Sequence, residues 1–166
     1  MNLPAAAAHF LGYRYASRSA DNRAPVVRGC LPVALAWRPG DDRRVDCSTF
    51  ISALAVYMAA DLEWDAAAYA DMQIMDAARL WSPLDAWARH GIGARMEPGE
   101  ACQGWGLYQG WADTAAVRGG HQWAYHGGMG IRVHASSIGD VGPIWERVAF
   151  SSLAGKYRSG IQGVRL

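Results

Sequence analysis

The stretch HQWAYHGGMGIRVHA, residues 121–135, contains two short candidate strands, 121–126 and 129–135, on either side of Gly127-Gly128. Gly-Gly between two such segments favours a two-residue β-turn, which predicts a hairpin in which residue 126 pairs with residue 129. In this register His121 lies opposite His134, and directly opposed side chains are about 5 Å apart. A longer turn would shift the register. We therefore expect a hairpin that brings two imidazole rings together.

The same register sorts the hairpin side chains onto two faces of the sheet. One face is predicted to pack in the core and carries Ala124, Met129, Ile131 and Val133. The other face carries the two histidines together with Trp123, Tyr125 and Arg132. Among the eight tryptophans, Trp123 is therefore the candidate for a cleft residue that contacts substrate.

Regular structure is predicted on both sides of this hairpin. Residues 105–111 alternate with glycines, which indicates a strand with a glycine-lined face that something can approach closely. Residues 144–150 are a further candidate strand. Apolar residues recur at helical spacing over 47–62, and a second helical stretch is predicted at 65–80. A third helix is predicted with Ser82 as N-cap, Pro83 at its first position and Gly91 just past its end. Helices first and strands later predict an α+β fold, with helices packed on a small antiparallel sheet.

Length and composition set broad limits on the protein. A chain of 166 residues that is 51% hydrophobic and 19% charged is expected to fold as a single domain, 1–166. Its net charge of +1 argues against a nucleic-acid partner. Because neither a secretory leader nor an apolar run of about 20 residues is visible, we expect cytoplasmic synthesis without membrane insertion. Three cysteines are too few for a disulfide scaffold.

Cys47 is the candidate nucleophile. It stands immediately before the predicted helix, where unpaired backbone N–H groups and the positive helix end stabilise a thiolate. The same N–H groups could hold the oxyanion that forms when the thiolate attacks an amide carbonyl. Asp46 and Ser48 flank the thiol and are candidates for substrate binding or oxyanion stabilisation. The alternative interpretation of Cys47 is a small buried apolar residue.

The paired histidines supply what a thiol nucleophile needs. His121 is predicted to act as general base and then general acid, and His134 to orient the ring of His121. A metal pair is the competing interpretation of two histidines on one sheet face. Zinc usually takes three or four protein ligands, and no Cys or His pair has a zinc-finger spacing, so we expect neither a metal nor another cofactor.

Four motifs resemble those of the NlpC-type cell-wall cysteine peptidases, and their order along the chain (Tyr, Cys, His, His) is more specific than any one of them. DCSTF at 46–50 resembles their D-C-S-G-F nucleophile motif, and Gly120-His121 resembles the G-H that opens the strand with the catalytic histidine. VHAS at 133–136 is similar to the next strand, which carries the third polar residue. LGYRY at 11–15 resembles a segment whose tyrosine lies at the catalytic cleft, which implies a site role for Tyr15.

The resemblance implies a papain-like fold with the nucleophile at a helix N-terminus. It implies a monomeric cysteine peptidase or amidase that hydrolyses amide bonds in peptidoglycan stem peptides. The resemblance leaves two possible scissile bonds: the one between D-glutamate and a diamino acid, and the one that joins the stem to the sugar. With no visible leader or separate wall-binding domain, we expect a phage lysin, a virion-associated enzyme or an exported toxin, which reaches the wall after release or delivery.

Two other functions remain open at this point. The thiol could serve a papain-like acyltransferase, or a peptidase that acts on proteins. Alternatively, the chain could be a wall-binding or phage-tail module without turnover. Reactivity of Cys47 separates catalysis from the last of these, because a catalytic thiol has a lowered pKa.

Overall fold

The computed structural model describes just under half of the chain. The described residues are 3–8, 10–15, 44–45, 47, 50–51, 54, 89, 91, 93–113, 118–135, 143–157 and 160–166. The first half contributes α1 (Leu3–Ala8), β1 (Arg14–Tyr15) and β2 (Arg44–Val45). The second half contributes β3 (Ala94–Arg95), β4 (Trp105–Asp113), β5 (Arg118–His126), β6 (Ile131–Ala135), β7 (Pro143–Arg147), α2 (Phe150–Lys156) and β8 (Gly160–Arg165).

A six-stranded sheet of order β3-β8-β4-β5-β6-β7 dominates the second half. β4 and β5 pair antiparallel over nine residues each, from Trp105 opposite His126 to Asp113 opposite Arg118. β8 lies antiparallel on the other side of β4, so the last strand of the chain occupies a central position. The long β4 and β5 segments form here because their apolar and aromatic residues suit a sheet that is buried on both faces.

Glycines on β4 and β8 make room for aromatic rings on one face of this sheet. A Cβ atom on Gly106 would lie 2.9 Å from the Tyr108 ring, and one on Gly163 would lie 2.7 Å from the same ring. A Cβ on Gly110 would lie 2.6 Å from the rings of Trp123 and Tyr157. The predicted glycine-lined face of β4 is therefore confirmed, and what approaches it closely is the chain's own aromatic core.

That core joins the sheet to α2. The fully buried rings of Tyr108 and Trp123 stack 6.0 Å apart, and Phe150 of α2 packs against Tyr108 at 5.4 Å. Leu153 and Tyr157 are also buried. The second compact unit of the chain, Met75–Val133 with Trp145–Leu166, contains this core.

The first compact unit consists of Met1–Ile74 with His134–Ile144. Its described core includes α1, where Leu3 and Ala6 are buried. The Phe10 ring meets the Phe50 ring edge to face, with centroids 5.4 Å apart. β1 and β2 form a two-stranded parallel sheet in this unit.

The predicted α+β, papain-like architecture is wrong. The described part of the chain is mostly a six-stranded sheet, antiparallel in every pair with a defined register. Among its helices only α1 and α2 have both bounds described, and both are short. The prediction missed β8, because GIQGVR is short and glycine-rich and gains its place from pairing with a distant strand. It also missed α2, whose first residue, Phe150, was assigned to a strand. The helix predicted at 65–80 lies outside the described residues. Of the helix predicted to end just before Gly91, only Arg89 is described, and it is helical; Gly91 itself is a turn residue.

The predicted register of the β5–β6 hairpin is also wrong. Ala124 pairs with Val133 and His126 with Ile131, so the turn spans four residues and His134 is not the direct cross-strand partner of His121. The longer turn forms because its glycines make hydrogen bonds with a segment that is distant in sequence. Gly127 and Gly128 donate N–H bonds to the carbonyls of Gly104 and Gln103 at 3.2 and 2.7 Å.

The last turn residue completes this arrangement. Gly130 has φ of +61°, which favours glycine, and its N–H donates to the carbonyl of His126 at 2.8 Å. Because the shift is two residues, it preserves the alternation of side chains. His121, Trp123 and Tyr125 therefore still share a sheet face with Arg132.

Candidate functional site

Cys47 is helical and follows β2 almost directly. Phe50, Ile51 and Leu54 are helical too, and all three are fully buried. Their spacing from Cys47 is that of one helix face, which confirms the predicted helix at the residues described. The Cys47 side chain is 6% exposed, and neither Cys47 nor Cys102 is in a disulfide. The thiol therefore lies at the start of a helix, on its packed face.

Tyr15 lies beside the strand that leads into Cys47. In the parallel β1–β2 pair, Tyr15 is the register partner of Val45, two residues before the thiol. The Tyr15 side chain is half-buried. Asp46 and Ser48, the other two candidates around the thiol, lie outside the described residues.

His121 lies in the middle of β5, half-buried, with Gly110 of β4 as its cross-strand partner. Its ring is nearly parallel to two others: the Trp123 ring, with centroids 6.0 Å apart, and the Tyr157 ring, with centroids 6.3 Å apart. Trp123 and Tyr157 themselves stack at 4.9 Å. The imidazole thus lies beside a pair of buried aromatic rings of its own unit.

His134 lies in β6 and is only 5% exposed. It belongs to the same compact unit as Cys47 and Tyr15, whereas His121 and Trp123 belong to the other unit. The two histidines therefore differ in surroundings: one imidazole is buried, and the other keeps part of its surface exposed.

Trp123 is not a cleft residue. Its side chain is fully buried and packs between aromatic rings of the core, and its indole N–H finds no hydrogen-bond partner among the described residues. The sequence pattern placed it correctly on the face of His121 but could not show that α2 covers this face. Tyr157, which contacts both rings, was missed because it lies beyond the last predicted element.

Two further polar groups on the same sheet were not predicted from sequence. Arg132 is 8% exposed and forms an ion pair with Glu146 of β7. Tyr108 accepts a hydrogen bond from the backbone N–H of Cys102 at 3.0 Å. Burial, followed by the side-chain contact with Cys102, raises the pKa of the Tyr108 hydroxyl well above its ordinary value. The contacts of Arg132 and Tyr108 depend on how β4, β6 and β7 pair over long range, and no local motif predicts them.

The described residues contain neither a cluster of metal ligands nor a membrane-spanning helix. Across those ranges, no group of three or more His, Cys, Asp or Glu side chains could hold a metal ion. No helix in the described part of the chain is long and apolar enough to cross a membrane. Comparison of the chain with protein-family models, with curated proteins and with solved structures finds no match.

Proposed function

We propose that the chain is a cysteine hydrolase that cleaves amide bonds in the peptide stems of peptidoglycan, with the Cys47 thiolate as nucleophile. The observation that carries this proposal is the pairing of Tyr15 with Val45. The motif resemblance implied that a tyrosine far upstream lies at the site of the cysteine. Strand pairing brings the backbone of that tyrosine beside the strand that leads into Cys47.

The chemistry follows from a thiolate at a helix start. The sulfur attacks the amide carbonyl carbon, a C–S bond forms, and the oxyanion accepts hydrogen bonds from backbone N–H groups that have no partner within the helix. Protonation of the amine nitrogen by an imidazolium lets the C–N bond break and leaves a thioester. The imidazole then takes a proton from water, and the hydroxide releases the acid and restores the thiolate.

The two histidines suit different parts of this scheme. A group that exchanges protons with substrate and water needs an exposed edge, and His121 is half-buried. An orienting group works best where water does not compete for its hydrogen bonds, and His134 is 5% exposed. We therefore assign His121 as base and acid, and His134 as the orienting residue.

The test is release of muropeptides from purified sacculi, followed by mass spectrometry. Cys47→Ala is expected to abolish release, because the nucleophile is lost. Cys102→Ala is the matched control: it removes a second buried thiol, in the other compact unit, and is expected to keep release near the wild-type rate. Circular dichroism checks that both variants fold.

The same assay separates the competing functions. New amine termini in the products support hydrolysis of stem amides, and their position identifies the bond. Acyl transfer to an added amine without net hydrolysis would favour an acyltransferase. Wild-type protein that binds sacculi but releases nothing, or a Cys47→Ala variant that still releases muropeptides, would refute the proposal.

A further inference from the structure

His121, the proposed base, packs against two aromatic rings of the second unit. The nearly parallel rings of His121, Trp123 and Tyr157 are here called the ring stack; their interplanar angles are 20° for His121–Trp123, 14° for His121–Tyr157 and 20° for Trp123–Tyr157. Trp123 is fully buried and Tyr157 is 5% exposed. The imidazole therefore lies against two rings that have little freedom to move.

The rings of Trp123 and Tyr157 are each held in place by the backbone of a different element. Trp123 lies two residues from His121 on β5, so it shares the sheet face of His121. Tyr157 follows α2 directly, and its N–H donates to the carbonyl of Leu153 at 2.9 Å. Its own carbonyl accepts from the N–H of Gly160 at 3.1 Å, which joins it to the start of β8.

The residue opposite His121 completes the arrangement. Gly110 is the cross-strand partner of His121, and any Cβ there would lie 2.6 Å from both supporting rings. The glycine is required for the space it leaves, since no positive φ is found at this position. Because Gly110 has no side chain, the rings of Trp123 and Tyr157 can lie close to this position of β4, opposite His121.

We infer that Trp123 and Tyr157 are positioning residues for His121: they hold the plane of its imidazole in one orientation for proton transfer. This inference rests on the proposed function, because it gives the His121 ring a catalytic task. A ring that must present its nitrogens to the groups with which it exchanges protons loses rate when it rotates, and misplacement by about 1 Å can cost on the order of 100-fold. Neither positioning residue needs to touch substrate.

The experiment compares Tyr157→Phe with Tyr157→Leu and Tyr157→Met. The phenylalanine keeps the stacked ring, whereas the other two fill similar volume without it. We expect wild-type kcat for Tyr157→Phe, and a fall in kcat of about 10- to 100-fold with little change in KM for the ringless variants, measured on a soluble stem peptide. Two ringless variants are used so that one folded protein is available if the other unfolds.

Phe150→Leu is the matched control. Phe150 is an aromatic residue of α2, but its ring contacts are with Tyr108 and Tyr125. The substitution tests whether general loosening of this core lowers kcat. We expect kcat close to wild type in Phe150→Leu, even where its unfolding temperature falls as far as that of a ringless Tyr157 variant.

NMR of the His121 ring protons supplies a readout that does not depend on activity. It is recorded in the inactive Cys47→Ala background, where stacked neighbours shift these protons by their ring currents. Tyr157→Leu should move them, and Tyr157→Phe should leave them near their original positions. Unchanged His121 signals in both ringless variants, or an unchanged kcat in a folded ringless variant, would overturn the inference. Full activity of His121→Ala would instead refute the role proposed for His121, whatever the ring signals show.

Discussion

Gly110→Ala is the substitution for which the structure predicts the clearest loss of stability. The added methyl group would lie 2.6 Å from Cη2 of Trp123 and 2.6 Å from Cγ of Tyr157. Carbon atoms in a packed core are normally about 3.5–4.0 Å apart. Both rings must therefore move by about 1 Å, and both are buried among other aromatic residues.

The size of the effect follows from this overlap. Overpacking a core typically costs about 1–3 kcal/mol, and the clash of one methyl with two buried rings places Gly110→Ala near the upper end, about 3 kcal/mol. In a protein of this size that corresponds to a fall in unfolding temperature of roughly 6–12 °C.

Gly155→Ala is the control with the opposite expected sign. Gly155 lies in α2 and is exposed, and a Cβ atom added there would have nothing within 4 Å. Alanine at a helical glycine lowers the entropy of the unfolded chain and stabilises by up to about 1 kcal/mol. Urea unfolding followed by near-ultraviolet circular dichroism measures both variants, because that signal reports aromatic packing. A Gly110→Ala protein within about 0.5 kcal/mol of wild type would refute the packing argument.

Three further predictions concern the same sheet. Tyr108→Phe should reduce the loss of stability at high pH. Because the pKa of Tyr108 is raised in the folded protein, the contribution of its neutral hydroxyl to the free energy of unfolding is present below about pH 10 and falls by about 1.4 kcal/mol per pH unit above it. Free energies of unfolding from urea titrations at about pH 9 and pH 11 should therefore differ less in the variant than in the wild type. Gly127→Ala should cost at least about 3 kcal/mol or prevent folding, because a Cβ there overlaps the backbone carbonyl of Cys102; wild-type stability in a thermal scan would contradict this. Glu146→Ala should lower the free energy of unfolding by about 1–3 kcal/mol, because it leaves the buried guanidinium of Arg132 without its carboxylate. Replacing both residues by apolar ones should recover most of that loss. Equal losses in the single and double variants would show that the ion pair is not responsible.

Local patterns predicted those parts of the fold whose signal is contained in one segment. Alternation over 105–111 predicted β4, and the buried positions of Cys47 and Phe50 confirm the helical periodicity that begins there. The hairpin strands were also predicted, because β5 contains Trp123 and Tyr125, β6 contains Ile131 and Val133, and a glycine-rich turn lies between the two strands.

The errors arose where distant segments decide the outcome. Gly127 and Gly128 resemble a two-residue turn, yet their N–H groups bond to the chain at Gly104 and Gln103, and this fixes a longer turn and another register. β8 has little apolar pattern of its own and gains its stability from pairing with β4. A single sequence contains no local signal for either pairing.

The same difference between local and long-range signals applies to the candidate site. The motif resemblance implied a site role for Tyr15, which stays a prediction; the structure shows that Tyr15 pairs with Val45, two residues before Cys47. The environment of His121 could not be predicted, because it depends on Tyr157 at the end of a helix that the pattern assigned to a strand. Burial of Trp123 was missed for the same reason.

The central claim, that Cys47 is an acylated nucleophile, is tested most directly by trapping its thioester. Wild-type protein is mixed with a synthetic stem peptide, quenched in acid during turnover, digested, and analysed by mass spectrometry. We predict an acyl adduct on the peptide that contains Cys47, and unmodified peptides for Cys30 and Cys102. Product formation without an adduct on Cys47, or with the adduct on another cysteine, would contradict it.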